Sequence, residues 1–381
     1  MIYLSKMGFS LIELGLLESI FHISSMLFEV PSGALADLLG RKYCRLAGRI
    51  MYFISLVIMF VADSFLMQAV GFSICAFGYN LESGSGEAFI YDTLKSLGQE
   101  NRYKKIAGII EVFFQLGLII SFVIGGFLAS GAGYKWVFLF TGCSVIVSFL
   151  IGLTFQEPVL KSSEDSAEGG NEASDKNRKS LKAFANILVD SIKLLKKRPR
   201  IMFLILFSEI ILTFTTSLFF YLQNYFKVGG REESYIGIVF ALGAGLSALS
   251  SYAADRIEKT FGEKRLLLIL PMLLAVCLWG VSLTDYLAVF FIITGFIEGV
   301  TFIVISDYLN KMIPSEIRAT VLSFRSMTFS LLMVILFPLI GTAAEIFSFK
   351  AAFLIMAVAS TVLSAAYAIF SALWSKIRRQ A

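Results

Sequence analysis

The chain has 381 residues, of which 57% are hydrophobic, 16% are charged and 37 are phenylalanines. Its mean hydropathy of +0.78 excludes a water-soluble globular protein, because such a protein cannot bury this much apolar surface. The formal net charge of +5 is explained by cationic loops that meet anionic lipid, so nucleic acid is not expected as a partner.

About eleven apolar stretches follow one another, and each approaches or exceeds the roughly 20 residues that a helix needs to cross a bilayer. A helix satisfies its own backbone hydrogen bonds in hydrocarbon, so each stretch is predicted to be a transmembrane helix. The predicted spans are Leu11–Ala36, Cys44–Ala62, Phe65–Leu94, Ile106–Ala132, Trp136–Phe155, Ile201–Phe226, Ser234–Ala254, Leu266–Leu283, Leu287–Ile313, Ala319–Ala344 and Ala351–Trp374.

The junctions between these spans alternate between rich and poor in lysine and arginine. Because cationic short loops stay in the cytoplasm, we predict a multi-pass protein of the cell membrane whose central polar interval and carboxyl terminus are cytoplasmic. The alternation places Met1 outside, with Ile2–Ser10 as a loop and no helix to bring it there. Either the amino terminus is external or a first span is missing from this sequence. We expect the missing span, because transporter repeats have equal numbers of helices.

The polar interval divides the chain into an amino-terminal bundle over residues 1–155, a cytoplasmic linker over 156–200 and a carboxyl-terminal bundle over 201–381. The first part of the linker has few apolar residues and mixed charge, so it is predicted not to pack. In its second part, apolar residues from Leu181 to Leu195 recur at helical spacing among lysines. This pattern predicts an amphipathic helix on the lipid headgroups, or alternatively a cytosolic helix packed on a loop.

A charged junction joins the first two predicted spans. Gly33 and Gly40 allow close helix approach and a tight turn, and Asp37 precedes Arg41 and Lys42 at the membrane face. An ion-pair cluster of this kind can form in one conformation and break in another, so we predict a gate. The alternative is that the cations only set the topology.

The run from Gly33 to Lys42, GALADLLGRK, resembles the loop pattern G-x-x-x-D-x-x-G-R-K of the major facilitator superfamily, between its second and third helices. The arrangement of two helical halves around a charged linker resembles that family over essentially the whole chain. The resemblance implies an all-α polytopic membrane protein with two bundles and about eleven of twelve family helices, the first being absent. It also implies that Asp37 engages the start of a helix in the other half, here near Ile317 and Arg318.

Two further family patterns match only in part. The glycines from Gly108 to Gly126 resemble the antiporter motif of the fifth helix, but Ser121 and Phe122 stand where the motif has glycine and proline. A proline would bend that helix, so its absence weakens an inference to antiport. The fourth span also lacks the central arginine of many proton-coupled members. The coupling mechanism therefore stays open.

The amino-terminal half holds several ionisable residues at membrane depth, where such groups are costly and indicate function. Glu87 and Tyr91 are spaced i, i+4 on the fourth span, and Glu111 lies on the next one, so all three are candidates to bind substrate or proton. His22 could respond to mild acidification, and Asp92, near the headgroups, is assigned to the gate. The structural alternatives are that Glu87 only ties helices together and that His22 only packs.

In the carboxyl-terminal half, Glu209 lies inside a span with interleaved aromatic residues. An aromatic-lined cavity with one acidic group would suit an amphipathic or cationic organic solute. Glu298 is a second carboxylate near the middle of the membrane. Arg325 could pair with Asp307 or with Glu298, and the sequence does not choose between them.

These features predict a secondary active transporter that moves a small organic solute by proton-coupled export, as a monomer. Uptake or uniport of a neutral metabolite is the alternative, and a non-transporting membrane receptor is the alternative of another class. Neither an enzyme nor a metal or cofactor site is expected, because the four cysteines are isolated, one histidine is present, and no phosphate-binding loop is found.

Overall fold

The computed structural model describes residues 1–99, 102–157, 198–313 and 318–380, and every regular element in these ranges is a helix. The helices are α1 Ile2–Lys6, α2 Leu11–Leu39, α3 Arg41–Val61, α4 Phe65–Ser96, α5 Tyr103–Gly131, α6 Tyr134–Leu153, α7 Pro199–Val228, α8 Glu233–Phe261, α9 Glu263–Leu283, α10 Leu287–Met312, α11 Arg318–Ile346 and α12 Phe349–Gln380. Within the described ranges, ten helices are long and apolar enough to cross a membrane. The predicted all-α polytopic fold is confirmed. The predicted linker helix lies outside the described residues.

One prediction about the amino terminus is wrong. Residues Ile2–Ser10 were expected to be a loop, whereas Ile2–Lys6 forms the short helix α1. The side chains of Ile2, Leu4 and Phe9 are buried, so this segment is held by apolar packing. Five residues are too few for a periodic pattern to be recognised.

The chain divides into two compact units. The first unit contains Met1–Leu16, Gln115–Ala132 and Arg198–Ala381, and the second contains Leu17–Phe114 and Gly133–Lys197. The start of α2 and the end of α5 therefore pack in the unit that holds the carboxyl-terminal helices.

In the second unit, α3 and α4 cross at two glycines. A Cβ atom on Gly48 would lie 2.9 Å from the carbonyl oxygen of Gly78, and one on Gly78 would lie 2.9 Å from that of Gly48. Because neither residue has a side chain, the two backbones come into direct contact. Asn80 ties the same stretch of α4 to α2, since its Nδ2 atom donates to the carbonyl oxygen of Ser25 at 2.6 Å.

The first unit has glycine crossings of the same kind. On α8 and α10, Gly243 faces Gly295, and a Cβ atom on Gly295 would overlap the backbone carbonyl of Gly243. At the end of α5, a Cβ atom on Gly126 would lie 2.6 Å from the carbonyl oxygen of Glu233 and 3.0 Å from the Cα atom of Gly237. Close backbone packing thus fixes α5 against α8.

Candidate functional site

A buried ion pair joins α7 to α11. The Nε atom of Arg325 lies 2.6 Å from the Oε1 atom of Glu209, and the side chains are only 14% and 4% exposed. The hydroxyl of Ser208 donates a second hydrogen bond to the same carboxylate oxygen at 2.8 Å. Glu209 therefore keeps a charge inside the bundle through two donors, as a buried carboxylate requires.

Arg325 also connects the pair to a third helix. Its Nη1 atom donates to the hydroxyl of Ser306 on α10 at 3.2 Å. The sequence offered Asp307 and Glu298 as partners of Arg325, and the structure pairs it with neither. Asp307 lies one turn from Lys311 and forms an ion pair with that residue instead.

Polar residues continue along α7 beyond Glu209. The hydroxyl of Thr213 donates to the backbone oxygen of Glu209 at 2.6 Å. Farther along, the side-chain polar atoms of Ser217 and Asn224 are buried, and they have no hydrogen-bond partner among the described residues. An unsatisfied buried polar group costs about 1–3 kcal/mol, so these positions favour occupation by water or by a polar ligand.

Two aromatic residues near Glu209 on α7 face away from it. Phe207 and Phe214 line an apolar cavity of about 350 Å³ with Pro271 of α9 and Tyr367 of α12. Glu209 is not among the residues that line this cavity. Phe207 and Phe214 lie on other faces of α7 than the acid, so this cavity is not the expected one. The expectation of an aromatic-lined cavity that contains Glu209 stays a prediction.

The charged junction between α2 and α3 forms a second cluster. Gly40 interrupts the helix with a φ of 92°, a conformation that favours glycine, and α3 begins at the next residue. Arg41 forms an ion pair with Asp92 of α4. The carboxylate of Glu157 accepts hydrogen bonds from the backbone amides of Arg41 and Lys42, both at 2.7 Å.

The comparison with known protein families agrees with this architecture. The family model described as Major Facilitator Superfamily matches residues 1–284 and 256–380. The chain belongs to the major facilitator superfamily. It is 24% identical over 365 residues to YxaM of Bacillus subtilis, an uncharacterized MFS-type transporter, and the match covers 94% of this chain and 87% of YxaM. A shorter match, 25% identical, is to the quinolone resistance protein NorA of Staphylococcus aureus, and it covers 42% of this chain and 40% of NorA.

Solved structures of other superfamily members share the fold. The nucleoside transporter NupG aligns with a TM-score of 0.73 at 16% identity, over 95% of this chain and 91% of NupG. A bacterial homologue of the human lysosomal transporter Spinster aligns with a TM-score of 0.70 at 16% identity, over 96% of this chain and 90% of that protein. At these identities the alignments concern the fold alone.

Part of the superfamily loop falls on side chains that the structure does not describe. Asp37 and Glu87 lie in α2 and α4, but their side chains are outside the described part. Ile317 and the side chain of Arg318, near which Asp37 was expected to find its partner, are also outside it. The gating contact of Asp37 therefore stays a prediction.

The remaining candidates have different surroundings within their units. Three lie on exposed helix faces: Tyr91, Glu111 and Glu298. His22 is half-buried and packs its ring edge-on to Phe21 at 5.4 Å between ring centroids. Gly33 has open space where a Cβ atom would be, so no close helix approach depends on it in this structure.

Sequence reasoning missed two features of the charged junction. Glu157, which caps α3, comes just after the fifth span, and its position before Pro158 was a usable sign of a chain turn. Arg49 of α3 forms an ion pair with Glu82 of α4. Glu82 lies in the predicted fourth span, but its partner 33 residues earlier could not be chosen without the crossing of α3 and α4.

Proposed function

We propose that the chain is a secondary active transporter of the cell membrane that exports a small organic solute in exchange for protons, by alternating access. The observation on which the coupling rests is the buried pair of Glu209 and Arg325. A proton that reaches Glu209 neutralises the carboxylate and removes its attraction for Arg325. The Glu209 carboxylate is then either protonated or paired with Arg325. A cationic solute competes with the proton and with Arg325 for the same carboxylate.

The charged junction is the proposed cytoplasmic gate. Its members are Gly33, Asp37, Gly40, Arg41, Lys42 and Asp92. The ion pair between Arg41 and Asp92 supports this role, because a pair at a helix junction can form in one conformation and break in the other. In this proposal the linker and the carboxyl terminus lie on the same cytoplasmic side.

The choice of an organic solute is supported by the relatives. NorA is named for resistance to quinolones, which are organic molecules, although its match covers less than half of either chain. The apolar and aromatic cavity beside α7 also favours a solute with a large apolar part.

Proteoliposomes with an imposed pH gradient test the proposal. We expect gradient-driven export of a fluorescent organic cation or a quinolone by the unaltered chain, and its loss in Glu209→Gln. Asp255→Asn is the matched control, because Asp255 is 71% exposed and pairs with Lys259 at the surface. Full gradient-driven export by Glu209→Gln would remove this residue from the mechanism.

Uptake or uniport of a neutral metabolite is the second candidate. It is favoured by the charge compensation at Glu209, which leaves the pair neutral as a whole. Collapse of the pH gradient separates the two candidates. Flux in a uniporter would not change, whereas export driven by protons would stop.

A further inference from the structure

A basic cleft lies on the second unit. It has a volume of about 240 Å³ and runs between α3 and α6. The first three turns of α3 contribute Lys42, Arg45 and Arg49, and α6 contributes the hydroxyl groups of Ser144 and Ser148. Positions 42, 45 and 49 are spaced i, i+3, i+7, so the three cations share one face of the helix.

Arg45 is the central cation of the cleft. Its guanidinium lies 5.5 Å from the ring centroid of Phe89 and 5.7 Å from that of Phe155, in two cation–π contacts. No carboxylate among the described residues lies within ion-pair distance of it, whereas Arg49 is paired with Glu82. Glu82 acts on Arg45 at longer range, and the Glu157 carboxylate lies at the backbone amide of Lys42. Among the described residues, the three cations of the cleft exceed these two carboxylates by one charge.

The outer wall of the cleft is apolar. Val147 and Ile151 of α6 line it, and each is 54% exposed. Only 11% of the span of α6 and 22% of that of α3 are buried inside the protein. In a bilayer these helix faces contact acyl chains. Lys42 and Arg45 lie within about 6 Å of the start of α3, near the level expected for lipid phosphates, whereas Arg49 lies about 12 Å from it and is deeper in the span.

We propose that this cleft binds one anionic phospholipid. Lys42 and Arg45 contact the phosphate, Arg49 adds positive charge deeper in the cleft, and the hydroxyl of Ser148 donates to a phosphate oxygen. The acyl chains lie along Val147 and Ile151. A lipid is favoured over a soluble phosphate ester because the same cleft offers cations at headgroup depth and an exposed apolar wall beside them.

Native mass spectrometry of the full chain, released from nanodiscs, measures the bound lipid directly. We expect phosphatidylglycerol to be retained. Phosphatidylcholine has the same phosphate but also a choline cation that the cationic cleft repels, so we expect it to be retained about tenfold less. Arg45→Gln should lower the retention of phosphatidylglycerol by about the same factor. Arg45→Lys should keep most of it, because the charge remains.

A steric variant separates lipid binding from a change in stability. Ser148→Leu fills the cleft with all three cations intact, and we expect it to release the lipid without lowering the unfolding temperature. Arg256→Gln, which removes an exposed cation of α8, is the matched control and should retain lipid like the unaltered chain.

Three results would overturn the proposal. If Arg45→Gln and Ser148→Leu both retained as much phosphatidylglycerol as the unaltered chain, the lipid would have to bind elsewhere. Displacement of the lipid by millimolar inorganic phosphate would assign the cleft to a soluble phosphate. Retention by the otherwise unaltered chain that appears only after neutralisation of Glu164, Asp165 and Glu168 would assign the cations of the cleft to these acidic side chains and not to a lipid.

Discussion

Glu209 and Arg325 lie 116 residues apart in the chain and meet through a hydrogen bond of 2.6 Å between α7 and α11. Each charge alone would be costly inside a helical bundle in lipid, and each is tolerated because the other is present. The pair therefore links the positions of these two helices through one carboxylate and one guanidinium.

A double-mutant cycle measures this dependence. Glu209→Ala and Arg325→Ala should each lower the free energy of unfolding by about 3–5 kcal/mol, because each leaves an uncompensated buried charge. The double variant should lose clearly less free energy of unfolding than the two single variants lose together. Thermal unfolding in detergent provides the measurement. The control cycle on Asp255 and Lys259, an exposed pair, should give about 0–1 kcal/mol, and an equal coupling there would contradict the argument.

The crossing of α5 and α8 depends on the absence of side chains. A Cβ atom on Gly237 would overlap the carbonyl oxygen of Phe122 and lie 3.1 Å from the Cα atom of Gly126. We expect Gly237→Ala to lower stability by about 1–3 kcal/mol through overpacking.

Gly245→Ala is the matched variant on the same helix, because nothing lies within 4 Å of its Cβ position. It should leave stability unchanged or raise it by about 0.5–1 kcal/mol, since alanine favours a helix. The unfolding temperatures of Gly237→Ala and Gly245→Ala, each compared with that of the unaltered chain, check the two expectations. Equal values would mean that α5 and α8 do not cross at these glycines.

The sequence predicted the long helices well because lipid imposes a simple rule of apolar length. The predicted span Cys44–Ala62 corresponds to α3, Arg41–Val61, and the predicted span Ile106–Ala132 corresponds to α5, Tyr103–Gly131. The observed helices begin earlier because the backbone continues as a helix into the headgroup region, where charged residues are tolerated. The short α1 was missed because apolar packing, and no local pattern, holds it.

The site could be predicted only residue by residue. Glu209 was found because an acid inside an apolar span is unusual. Its partner was not found, because Arg325 is placed opposite it by the packing of α7 and α11, which the spacing along either helix does not contain. The separation of Glu209 from the cavity lined by Phe207 and Phe214 is likewise set by how α7 packs against other helices, which the spacing along α7 does not contain.

Glu157 caps α3 from a distant part of the chain. Removal of its carboxylate in Glu157→Ala leaves the amides of Arg41 and Lys42 without their acceptor, so we expect a loss of about 0.5–2 kcal/mol. Glu157→Gln keeps one acceptor but no charge near the helix start. Its stability should therefore lie between that of the unaltered chain and that of Glu157→Ala. Unfolding by heat measures both, with the exposed neighbour Gln156→Ala as a control. A larger effect in Gln156→Ala would point away from a capping role.

Glu233 joins α1 to the start of α8. Its two carboxylate oxygens lie 2.7 Å from the Nζ atom of Lys6 and 2.9 Å from that of Lys227, and its side chain is only 8% exposed. The buried apolar side chains of Ile2, Leu4 and Phe9 also hold this segment to its unit.

We therefore expect Glu233→Gln to speed amide hydrogen exchange over residues 2–9, while exchange in the middle of α8 stays the same. Lys227→Gln should act in the same direction but less, because the contact to Lys6 remains. Glu232→Gln, a change at the exposed residue beside it, is the control. Unchanged exchange in Glu233→Gln would mean that the apolar contacts alone hold α1, since the ion pairs would then add nothing measurable to its stability.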